Sequence, residues 1–300
     1  MSETAVTEAK GAAGERTAGS AMTRVYTPDS PVRRPRAFLR TIVTDARAVR
    51  TLAWRLFVRD IAAQYRQTAI GYLWAALPAV VSALVWVVLQ RVGVLSVKTG
   101  SVPYIAYVLV GTMFWQLFLD ALNAPLTQLN MNRSMLNRVS FPTEAIFVSG
   151  AAQVVFSFAI KLVVLAVVLA ASGAPVKWTA PAALLPAFAL LLLGTTIGIV
   201  LTPVGMLFQD VQQGMNAIVG PLMFLTPVIY SVDQAGVLGR YMRFNPLTPV
   251  FQVTRELLFG GVGPYVTELG IVAGVTVVLA FAGWFVYRLS LPIVIERIEA

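Results

Sequence analysis

The chain of 300 residues contains neither cysteine nor histidine, and only 12% of its residues are charged. The missing cysteine excludes disulfides and thiolate chemistry, and the missing histidine excludes histidine metal ligands and histidine acid–base catalysis. No Gly-x-x-x-x-Gly-Lys-Ser/Thr loop occurs, so the sequence carries no P-loop for ATP. Apolar residues make up 57% of the chain, and the mean hydropathy is +0.75. This balance is typical of a protein with several membrane spans.

Six apolar stretches predict membrane-spanning helices, each of which needs about 20 mostly apolar residues. The predicted spans are Ile70–Gln90, Pro103–Leu122, Ala145–Ala171, Ala180–Gly205, Met215–Tyr230 and Leu269–Tyr287. The fifth contains Gly220, Pro221 and Pro227 and is therefore predicted to be kinked or short. Because backbone groups in lipid must be satisfied within their own element, the predicted fold class is an all-α integral membrane protein with six transmembrane helices.

The composition changes along the chain and predicts three parts. Residues 1–45 have few bulky apolar side chains and are predicted to form a disordered cytoplasmic tail. Residues 46–68 are predicted to form an amphipathic interface helix, and residues 69–300 a six-helix permease domain. The tail has no apolar run of the kind found in signal peptides.

The positive charge is distributed unevenly, and this predicts the orientation of the chain. The net charge is +9, and most of the 23 Lys and Arg residues fall on the side of the predicted spans that holds both termini. Because such residues favour the cytoplasmic side, both termini are predicted to be cytoplasmic in a multi-pass protein of the cell membrane. Topology thus accounts for the basic charge, and we expect no nucleic-acid partner.

The segment before the first predicted span has two helical faces. Trp54, Phe57, Val58, Ile61 and Tyr65 recur at the spacing of one helix face. Arginines at positions 55, 59 and 66 form a neighbouring stripe. Such a helix lies in the headgroup plane, where arginine meets lipid phosphate. It is either a simple juxtamembrane anchor or, in addition, a surface on which a lipid-linked substrate or a partner protein docks.

The run RDIAAQYRQTAIGYLW resembles the opening signature of the permease subunits of type II ABC exporters, especially those that export lipid-linked O-antigen, capsular polysaccharide or teichoic acid. The matching positions are Arg59, Asp60, Tyr65, Arg66, Gln67, Thr68, Gly71, Trp74 and Pro78. Three more runs are similar to family stretches in the expected order: MLNRVSFPTEAIFVSG, LFQDVQQGMNAIVGPLMFLTPVIY and RFNPLTPVFQVTRELLFG. The sequence departs from the family at Gln209, where arginine is usual, and at Phe147, where proline is common.

The resemblance implies partners and cofactors as well as a fold. Two copies of the permease would pair to frame a channel, and two copies of a separate ABC ATPase would bind ATP and magnesium. This chain would hold no cofactor and no metal, and it would be a transporter subunit rather than an enzyme. Its further partners would be a lipid-linked glycan and membrane lipids.

Four groups of candidate site residues follow. Substrate access at the interface helix is assigned to Trp54, Arg55, Arg59, Asp60, Tyr65, Arg66, Gln67 and Thr68. The channel is assigned to Trp74, Trp86, Phe114, Trp115, Phe118 and Tyr230, since aromatic rings stack on sugars; an aromatic belt at the lipid boundary is the alternative. Coupling to the ATPase is assigned to Asn132, Arg133, Asn137, Arg138, Gln209 and Asp210, with plain solvated loops as the alternative.

The fourth group is an outer gate. The segment from Ser231 to Thr267 is unusually apolar for a loop and is predicted to form short re-entrant or interfacial helices before the last span. The gate residues are Asn245 and Pro246 in this segment and Pro227 shortly before it, and a surface loop with scattered apolar residues is the alternative.

Two charged residues lie within predicted spans, where charge is costly. Asp120 lies near the cytoplasmic end of the second span, from which it can reach the interface. Lys161 lies in the middle of the third span. It either faces the channel and meets a pyrophosphate, or it pairs with a carboxylate or a carbonyl.

The leading hypothesis is therefore the permease subunit of an ATP-driven exporter of a lipid-linked polysaccharide. A type II ABC permease for a small molecule or drug is the alternative. An integral-membrane enzyme is disfavoured because the spans lack clustered acids or bases. An ion-coupled carrier is disfavoured because the sequence has no convincing internal repeat.

Overall fold

A computed structural model describes residues 35–66, 68–133, 143–208, 210–260 and 263–299. The chain divides into two compact units, Met1–Asp45 and Ala46–Ala300. The α-helices in the described ranges are α1 Pro35–Tyr65, α2 Leu77–Arg91, α3 Tyr104–Met131, α4 Glu144–Ala171, α5 Leu184–Leu207, α6 Asp210–Phe224, α7 Val237–Met242, α8 Leu247–Arg255 and α9 Val266–Glu299. Short 3₁₀-helices occupy Gly71–Ala75, Ala180–Ala183 and Val232–Gln234, and a π-helix occupies Glu256–Gly260.

Four helical segments are long and apolar enough to cross a membrane: Tyr104–Met131, Glu144–Ala171, Ala180–Leu207 and Val266–Ser290. They coincide with the second, third, fourth and sixth predicted spans, so the prediction of membrane-length helices is confirmed for these four. The first and fifth predicted spans fall on α2 and α6, which have only 15 residues each. The total of six spans therefore stays a prediction.

Local sequence explains why α2 and α6 are short. Gly71 has a φ of 55°, which favours glycine, and it opens the 3₁₀ turn that precedes α2. Thr226 precedes Pro227, and the residue before a proline is disfavoured in a helix. Accordingly α6 ends at Phe224, and residues 225–230 continue without a helix to the end of the predicted span.

Helix α3 lies at the centre of the packing and contacts α2, α4 and α5, while α9 packs on α5. Gly194 and Gly198 allow the close approach of α5 to α3. A Cβ at Gly194 would lie 2.9 Å from the backbone oxygen of Phe118, and one at Gly198 would collide with the backbone oxygen of Leu122. Small residues four apart are a recurrent way to bring membrane helices into backbone contact.

Helix α1 packs on one end of this bundle, where α3 ends at Met131 and α4 begins at Glu144. Leu56 of α1 belongs to an apolar cluster with Leu126, Leu129 and Ile146. We refer to this end as the Met131 end and to the opposite end, where α3 begins, as the Tyr104 end. The apolar contact fixes α1 across the Met131 end of α3 and α4.

The bounds of α1 differ from the predicted interface helix at residues 46–68. The helix begins upstream, at Pro35, and ends at Tyr65. Residues 1–34, most of the predicted tail, lie outside the described residues. The face that α1 turns toward the bundle contains Ala53, Leu56 and Asp60, all buried. Trp54 and Val58 of the predicted apolar face are exposed, which leaves them available to lipid.

Candidate functional site

Five side chains from α1, α4 and the C-terminal part of α3 form a closed set of polar contacts, which we call the polar ring. Arg59 donates from Nε to Asp60 Oδ1 at 2.8 Å and from Nη2 to Asn132 Oδ1 at 2.7 Å. Gln153 Nε2 donates to Asp60 Oδ2 at 3.1 Å. Gln128 Nε2 donates to Gln153 Oε1 at 2.8 Å, and Asn132 Nδ2 closes the ring to Gln128 Oε1 at 3.5 Å.

Three members of the polar ring are buried, whereas the side chain of Arg59 is 49% exposed. Asp60 is 8% exposed, Gln128 5% and Asn132 1%. Both oxygens of the Asp60 carboxylate are occupied, one by a guanidinium and one by an amide. A buried carboxylate needs such partners, because leaving it unpaired costs several kcal/mol. The ring therefore ties the α1 helix to α3 and α4 by contacts that depend on side-chain identity.

The structure thus brings together three predicted site residues, Arg59, Asp60 and Asn132, which sequence analysis had divided between substrate access and coupling. Gln128 and Gln153 were missed. The available signal in the sequence was an uncharged amide inside a long apolar helix, because such a side chain usually faces another helix of the protein rather than lipid.

A second polar group lies further along α3. Lys161 of α4 is 1% exposed, and its Nζ lies 2.5 Å from Asp120 Oδ2. Gln116 Nε2 donates to Asp120 Oδ1 at 2.9 Å. One helical turn beyond, Asn123 Oδ1 accepts from Gln212 Nε2 of α6 at 2.6 Å. Lys161 was predicted either to meet a pyrophosphate in the channel or to pair with a carboxylate or a carbonyl. In the structure it pairs with a carboxylate.

A chain of aromatic rings links α1 with α4 and with the 3₁₀-helix Gly71–Ala75. Ring centroids are separated by 5.4 Å for Trp54 and Phe57, 6.0 Å for Phe57 and Phe156, 5.5 Å for Phe156 and Tyr72, and 4.8 Å for Tyr72 and Tyr65. Trp54 and Tyr72 are more than half exposed. Sequence analysis named Trp54 and Tyr65 as site residues, whereas it missed Phe57, Phe156 and Tyr72 as parts of one aromatic surface.

The pKa of Tyr65, at one end of this aromatic chain, is shifted upward. Burial raises the pKa of Tyr65, and the negative charge of Asp120 raises it further, followed by a smaller contribution of Tyr72. Tyr65 and Asp120 are therefore within electrostatic reach of one another.

The other predicted access residues have simpler surroundings. Arg55 and Arg66 are exposed, and Thr68 Oγ1 donates to the backbone oxygen of Tyr65 at 3.1 Å. Gln67 lies outside the described residues.

The six aromatics assigned to the channel occupy different environments. Phe114, Trp115 and Phe118 are at most 5% exposed and pack inside the core; for example, Phe114 meets Phe158 edge-on at 5.3 Å. They face the interior of the subunit because α3 is covered by α2, α4 and α5. Trp74 is 48% exposed.

The remaining two channel candidates meet at the Tyr104 end. Trp86 contacts Phe224 edge-on at 6.1 Å, and Tyr230 donates its hydroxyl to the backbone oxygen of the same Phe224 at 2.5 Å. Both side chains are partly exposed. Phe224 is the last residue of α6, so they fix the point at which this helix ends.

Two of the predicted coupling residues are exposed, and three cannot be placed. Arg133 and Asp210 are exposed, whereas Asn132 is buried in the polar ring. Asn137, Arg138 and Gln209 lie outside the described residues. Arg133 also lines a cavity of about 470 Å³ with Leu126, Asn130, Gly205, Met206, Gln212 and Gln213.

At the Tyr104 end, the segment between α6 and the 3₁₀-helix Val232–Gln234 is held by an arginine that sequence analysis missed. Arg255 is 6% exposed and donates from Nη1 to the backbone oxygen of Pro227 at 2.5 Å and from Nη2 to that of Val228 at 2.6 Å. Its guanidinium lies 3.7 Å from the centre of the Tyr107 ring. The signal in the sequence was the single arginine of QVTRELLFG, shortly before the apolar run of residues 257–259.

The predicted gate residues hold the other side of the same segment. Asn245 Nδ2 donates to the backbone oxygen of Leu225 at 3.0 Å and to Thr226 Oγ1 at 2.8 Å. Asn245 Oδ1 also accepts from the backbone of Leu247, at the start of α8, at 2.9 Å. Pro246, between them, is exposed. Pro227 and Asn245 thus belong to one assembly, together with Arg255.

Glycine at position 111 permits this assembly to approach α3. A Cβ there would collide with the backbone oxygen of Val228 and would lie 2.8 Å from Arg255 Nη2. Tyr104 at the start of α3 donates its hydroxyl to the backbone oxygen of Ile229 at 3.3 Å. The non-helical segment is therefore bound on one side by α3 and on the other by residues of α8.

The described ranges contain no cluster of three or more Asp, Glu, His or Cys side chains that would bind a metal ion. The polar groups of the site are instead amides, tyrosines, arginines and two ion pairs, Asp60 with Arg59 and Asp120 with Lys161. Their chemistry is hydrogen bonding and charge pairing at the two ends of a membrane-spanning bundle.

Comparison with known proteins gives consistent matches over most of the sequence. A family model described as ABC-2 type transporter matches residues 51–259. The chain is 24% identical over 252 residues to the O-antigen export system permease protein RfbA of Myxococcus xanthus, with 82% of this chain and 95% of that protein covered.

A second kind of relative comes from Escherichia coli. The chain is 25% identical over 240 residues to a polysialic acid transport protein KpsM, with 78% of this chain and 91% of that protein covered. Another KpsM protein of Escherichia coli is 24% identical over 240 residues with the same coverage.

Proposed function

Because the chain belongs to the ABC-2 type transporter family, we propose that it is the membrane subunit through which an ATP-driven exporter moves a polysaccharide. As a member of this family it is a transporter subunit and not an enzyme, and its apolar helices make it a multi-pass membrane protein. A polysaccharide is proposed as the substrate because the alignments with two polysaccharide exporters cover nearly the full length of those proteins. The alignments span 95% of an O-antigen export permease and 91% of a polysialic acid transport protein.

The substrate is proposed to be lipid-linked and to reach the protein along α1. Arg55, next to the exposed Trp54 on this helix, and Arg66, directly after its last residue, are both exposed. A membrane-surface helix of this kind binds anionic phosphate through its arginines and acyl chains through its aromatic face. A lipid-linked glycan offers both groups, a phosphate-bearing head and a long apolar tail.

Six spans are proposed, with α2 and α6 as the first and the fifth. Helix α2 has 15 residues, which extend about 22 Å. The 3₁₀ turn Gly71–Ala75 adds about 10 Å, and together they match the roughly 30 Å of a hydrocarbon core. Residues 225–230 similarly extend α6 toward the Tyr104 end, where their backbone groups are bound by Arg255, Asn245 and Tyr104.

The Met131 end is proposed to be cytoplasmic, with both termini on that side of the cell membrane. Arg59, Arg66, Arg133 and Arg288 lie at this end, and Arg288 pairs with Glu144 at 3.2 Å. Over the whole sequence, 16 Lys and Arg residues are assigned to the side of the termini and 6 to the other side, and such a bias is the usual determinant of orientation.

The energy source is proposed to be a separate ABC ATPase bound at the Met131 end, in two copies, with ATP and magnesium held there. Arg133, which lines the cavity between α3, α5 and α6, and Asp210, at the start of α6, are both exposed and available to such a partner. A second copy of this chain is proposed to complete the channel, whose wall includes the exposed Trp74. The assembly of Pro227, Asn245 and Arg255 is proposed to close the outer exit.

The test of this function is deletion of the gene in its own host. We expect surface polysaccharide to disappear, and the same glycan to accumulate on its lipid carrier inside the cell, because synthesis continues without export. Both quantities are measured by extraction and gel electrophoresis of surface and lipid-linked glycan. Expression of the full chain from a plasmid should restore export.

Two results would reject this function. Normal surface glycan in the deletion strain rejects polysaccharide export. If that strain instead becomes sensitive to particular toxic compounds while its surface glycan is unchanged, the protein is a permease for small molecules and not for polysaccharide. A matched control is a plasmid that expresses the Phe188→Ala variant. Phe188 is a 62% exposed side chain on α5, so this variant should restore export fully.

A further inference from the structure

Helix α7 and the turn after it present an apolar surface that the described part of the protein leaves open. Val237 is 80% exposed, Tyr241 60% and Phe244 84%. Because each residue turns a helix by about 100°, these three side chains fall on one side of it. Gly239 and Met242 fall on the opposite side and are buried. We call the exposed set of Val237, Tyr241 and Phe244 the α7 patch.

Two arginines border the α7 patch along one edge. Arg240 and Arg243 are exposed, and the helical spacing places them between the patch and the buried side. Asp233 is the nearest acidic residue in the sequence, and residues 234–255 contain none. The bias of basic residues toward the Met131 end does not account for these two arginines, because they lie at the opposite end of the bundle. Their position therefore calls for a local explanation.

Hydrogen bonds on both sides of α7 hold it where the bundle ends. Gln234, shortly before α7, donates to the backbone oxygen of Lys98 at 2.6 Å, and Lys98 lies shortly before α3. Asn245, shortly after α7, donates to the backbone oxygen of Leu225 at 3.0 Å, directly after α6. Since α3 is a membrane-length helix that begins at this end, α7 lies at the level of the lipid headgroups.

The chemistry and the size of this surface favour a negatively charged lipid surface as its partner. Aromatic and aliphatic side chains insert at the boundary between headgroups and acyl chains, and neighbouring arginines bind lipid phosphate. A protein partner would need more area. Helix α7 has six residues and is therefore about 9 Å long, whereas a stable protein interface covers about 800 Å² on each partner.

We propose that the α7 patch docks into the leaflet at the Tyr104 end, with Arg240 and Arg243 binding the phosphates of anionic phospholipids. The three side chains of the patch insert between these lipids. Asn245 follows Phe244 directly and holds Leu225 and Thr226. The docked patch therefore also anchors the non-helical segment of residues 225–230 to the membrane. This inference requires that the chain spans a membrane, but it does not depend on which molecule is exported.

The experiment uses a single fluorescent label, which is possible because the chain contains no cysteine. Leu238→Cys, at the edge of the α7 patch, is labelled with nitrobenzoxadiazole in the full chain. The protein is reconstituted into vesicles of phosphatidylcholine with phosphatidylglycerol as the minor component. Either lipid is supplied with brominated acyl chains, at the same mole fraction, and quenches a label that it touches. The matched control carries the label at Phe188→Cys, on an exposed face of α5.

We expect brominated phosphatidylglycerol to quench the label at position 238 more strongly than brominated phosphatidylcholine, and the two lipids to quench the label at position 188 equally. The preference should be about fivefold for each arginine at low ionic strength, and salt should weaken it. Arg240→Gln with Arg243→Gln should remove the preference, whereas Arg240→Lys with Arg243→Lys should retain it. Unchanged quenching at position 188 in these variants confirms that they fold and insert.

Three outcomes overturn the proposal. If neither lipid quenches the label at position 238 and aqueous iodide does, the patch lies in water. Equal quenching by the two lipids shows that the patch inserts without recognising anionic headgroups. If a bifunctional maleimide joins two copies of the chain through position 238 and lipid does not quench the label there, the patch is an interface between copies.

Discussion

The two ends of the bundle are held together by different kinds of contact. At the Met131 end, the polar ring joins α1, α3 and α4 through side chains on both sides of each hydrogen bond. At the Tyr104 end, Arg255, Asn245 and Tyr104 donate to backbone oxygens of residues 225–229. One end therefore joins regular helices, and the other supplies donors to a segment that has no helix of its own.

The difference shows what each end requires of the sequence. A backbone oxygen is present at every residue, so the Tyr104 end depends mainly on its donors and on the space provided by Gly111. In the polar ring, donors and acceptors are both side chains, so each position depends on the others. Substitutions should therefore have large single effects at the Tyr104 end and coupled effects at the Met131 end.

The largest effect is expected for Arg255→Met. This change removes two charge-assisted hydrogen bonds and a cation–π contact, and it leaves the oxygens of Pro227 and Val228 without these donors. We expect a loss of about 3 kcal/mol in the free energy of unfolding, measured as a lowered Tm of the purified chain in detergent. Arg255→Lys should recover only part of it, because lysine lacks the two-pronged guanidinium. A Tm for Arg255→Met equal to that of the wild type would show that the clamp does not stabilise this end.

A smaller and coupled effect is expected in the polar ring. Asp60→Ala and Gln153→Ala each break the same contact. The loss in the free energy of unfolding of the double variant should therefore be smaller, by about 1 kcal/mol, than the summed losses of the two single variants. The cycle is measured by Tm in detergent. The control cycle combines Asp60→Ala with Gln234→Ala at the Tyr104 end, where we expect additivity. Additivity within the ring itself would contradict the interdependence of its members.

The smallest effect is expected for Gln234→Ala alone. Gln234 donates to the backbone oxygen of Lys98 at 2.6 Å and accepts from its backbone nitrogen at 3.2 Å, so it makes the same kind of contact as Arg255. It is exposed, however, and water replaces both partners when the side chain is removed. We expect a change within about 0.5 kcal/mol. A loss as large as that for Arg255→Met would mean that burial does not explain why the Arg255 contact stabilises the protein more than the Gln234 contact.

The long helices could be predicted because their signal is local. About 20 consecutive apolar residues suffice to indicate a span, and α3, α4, α5 and α9 include all but the first few residues of the predicted stretches. The ends are less accessible to prediction. Helix α3 continues past Leu122 to Met131 because its last turns are buried against α1, α4 and α5, and not because they are apolar enough for lipid.

The candidate site was predictable only in part, because residue type does not give direction. Phe114, Trp115 and Phe118 are chemically suited to a sugar path, yet the packing around α3 encloses them. The contact of Gln128 with Gln153 joins residues on two helices, and Arg255 reaches oxygens more than two dozen positions away. Periodicity within one element cannot indicate such pairs. The Arg59–Asp60 signature, by contrast, was recognisable, since both residues stand in one short motif.

Helix α3 is the one described element that contacts every polar assembly discussed above. Its Gly111 lies against Val228 and Arg255, its Asp120 meets Lys161, its Asn123 meets Gln212, and its Asn132 meets Arg59. Each residue turns an α-helix by about 100°. A single inserted or deleted residue between Gly111 and Asn132 would therefore rotate the second half of the helix away from all its partners. The number of residues between the two ends is thus as constrained as their chemistry, and we expect insertions and deletions to be tolerated only in the connections outside α3.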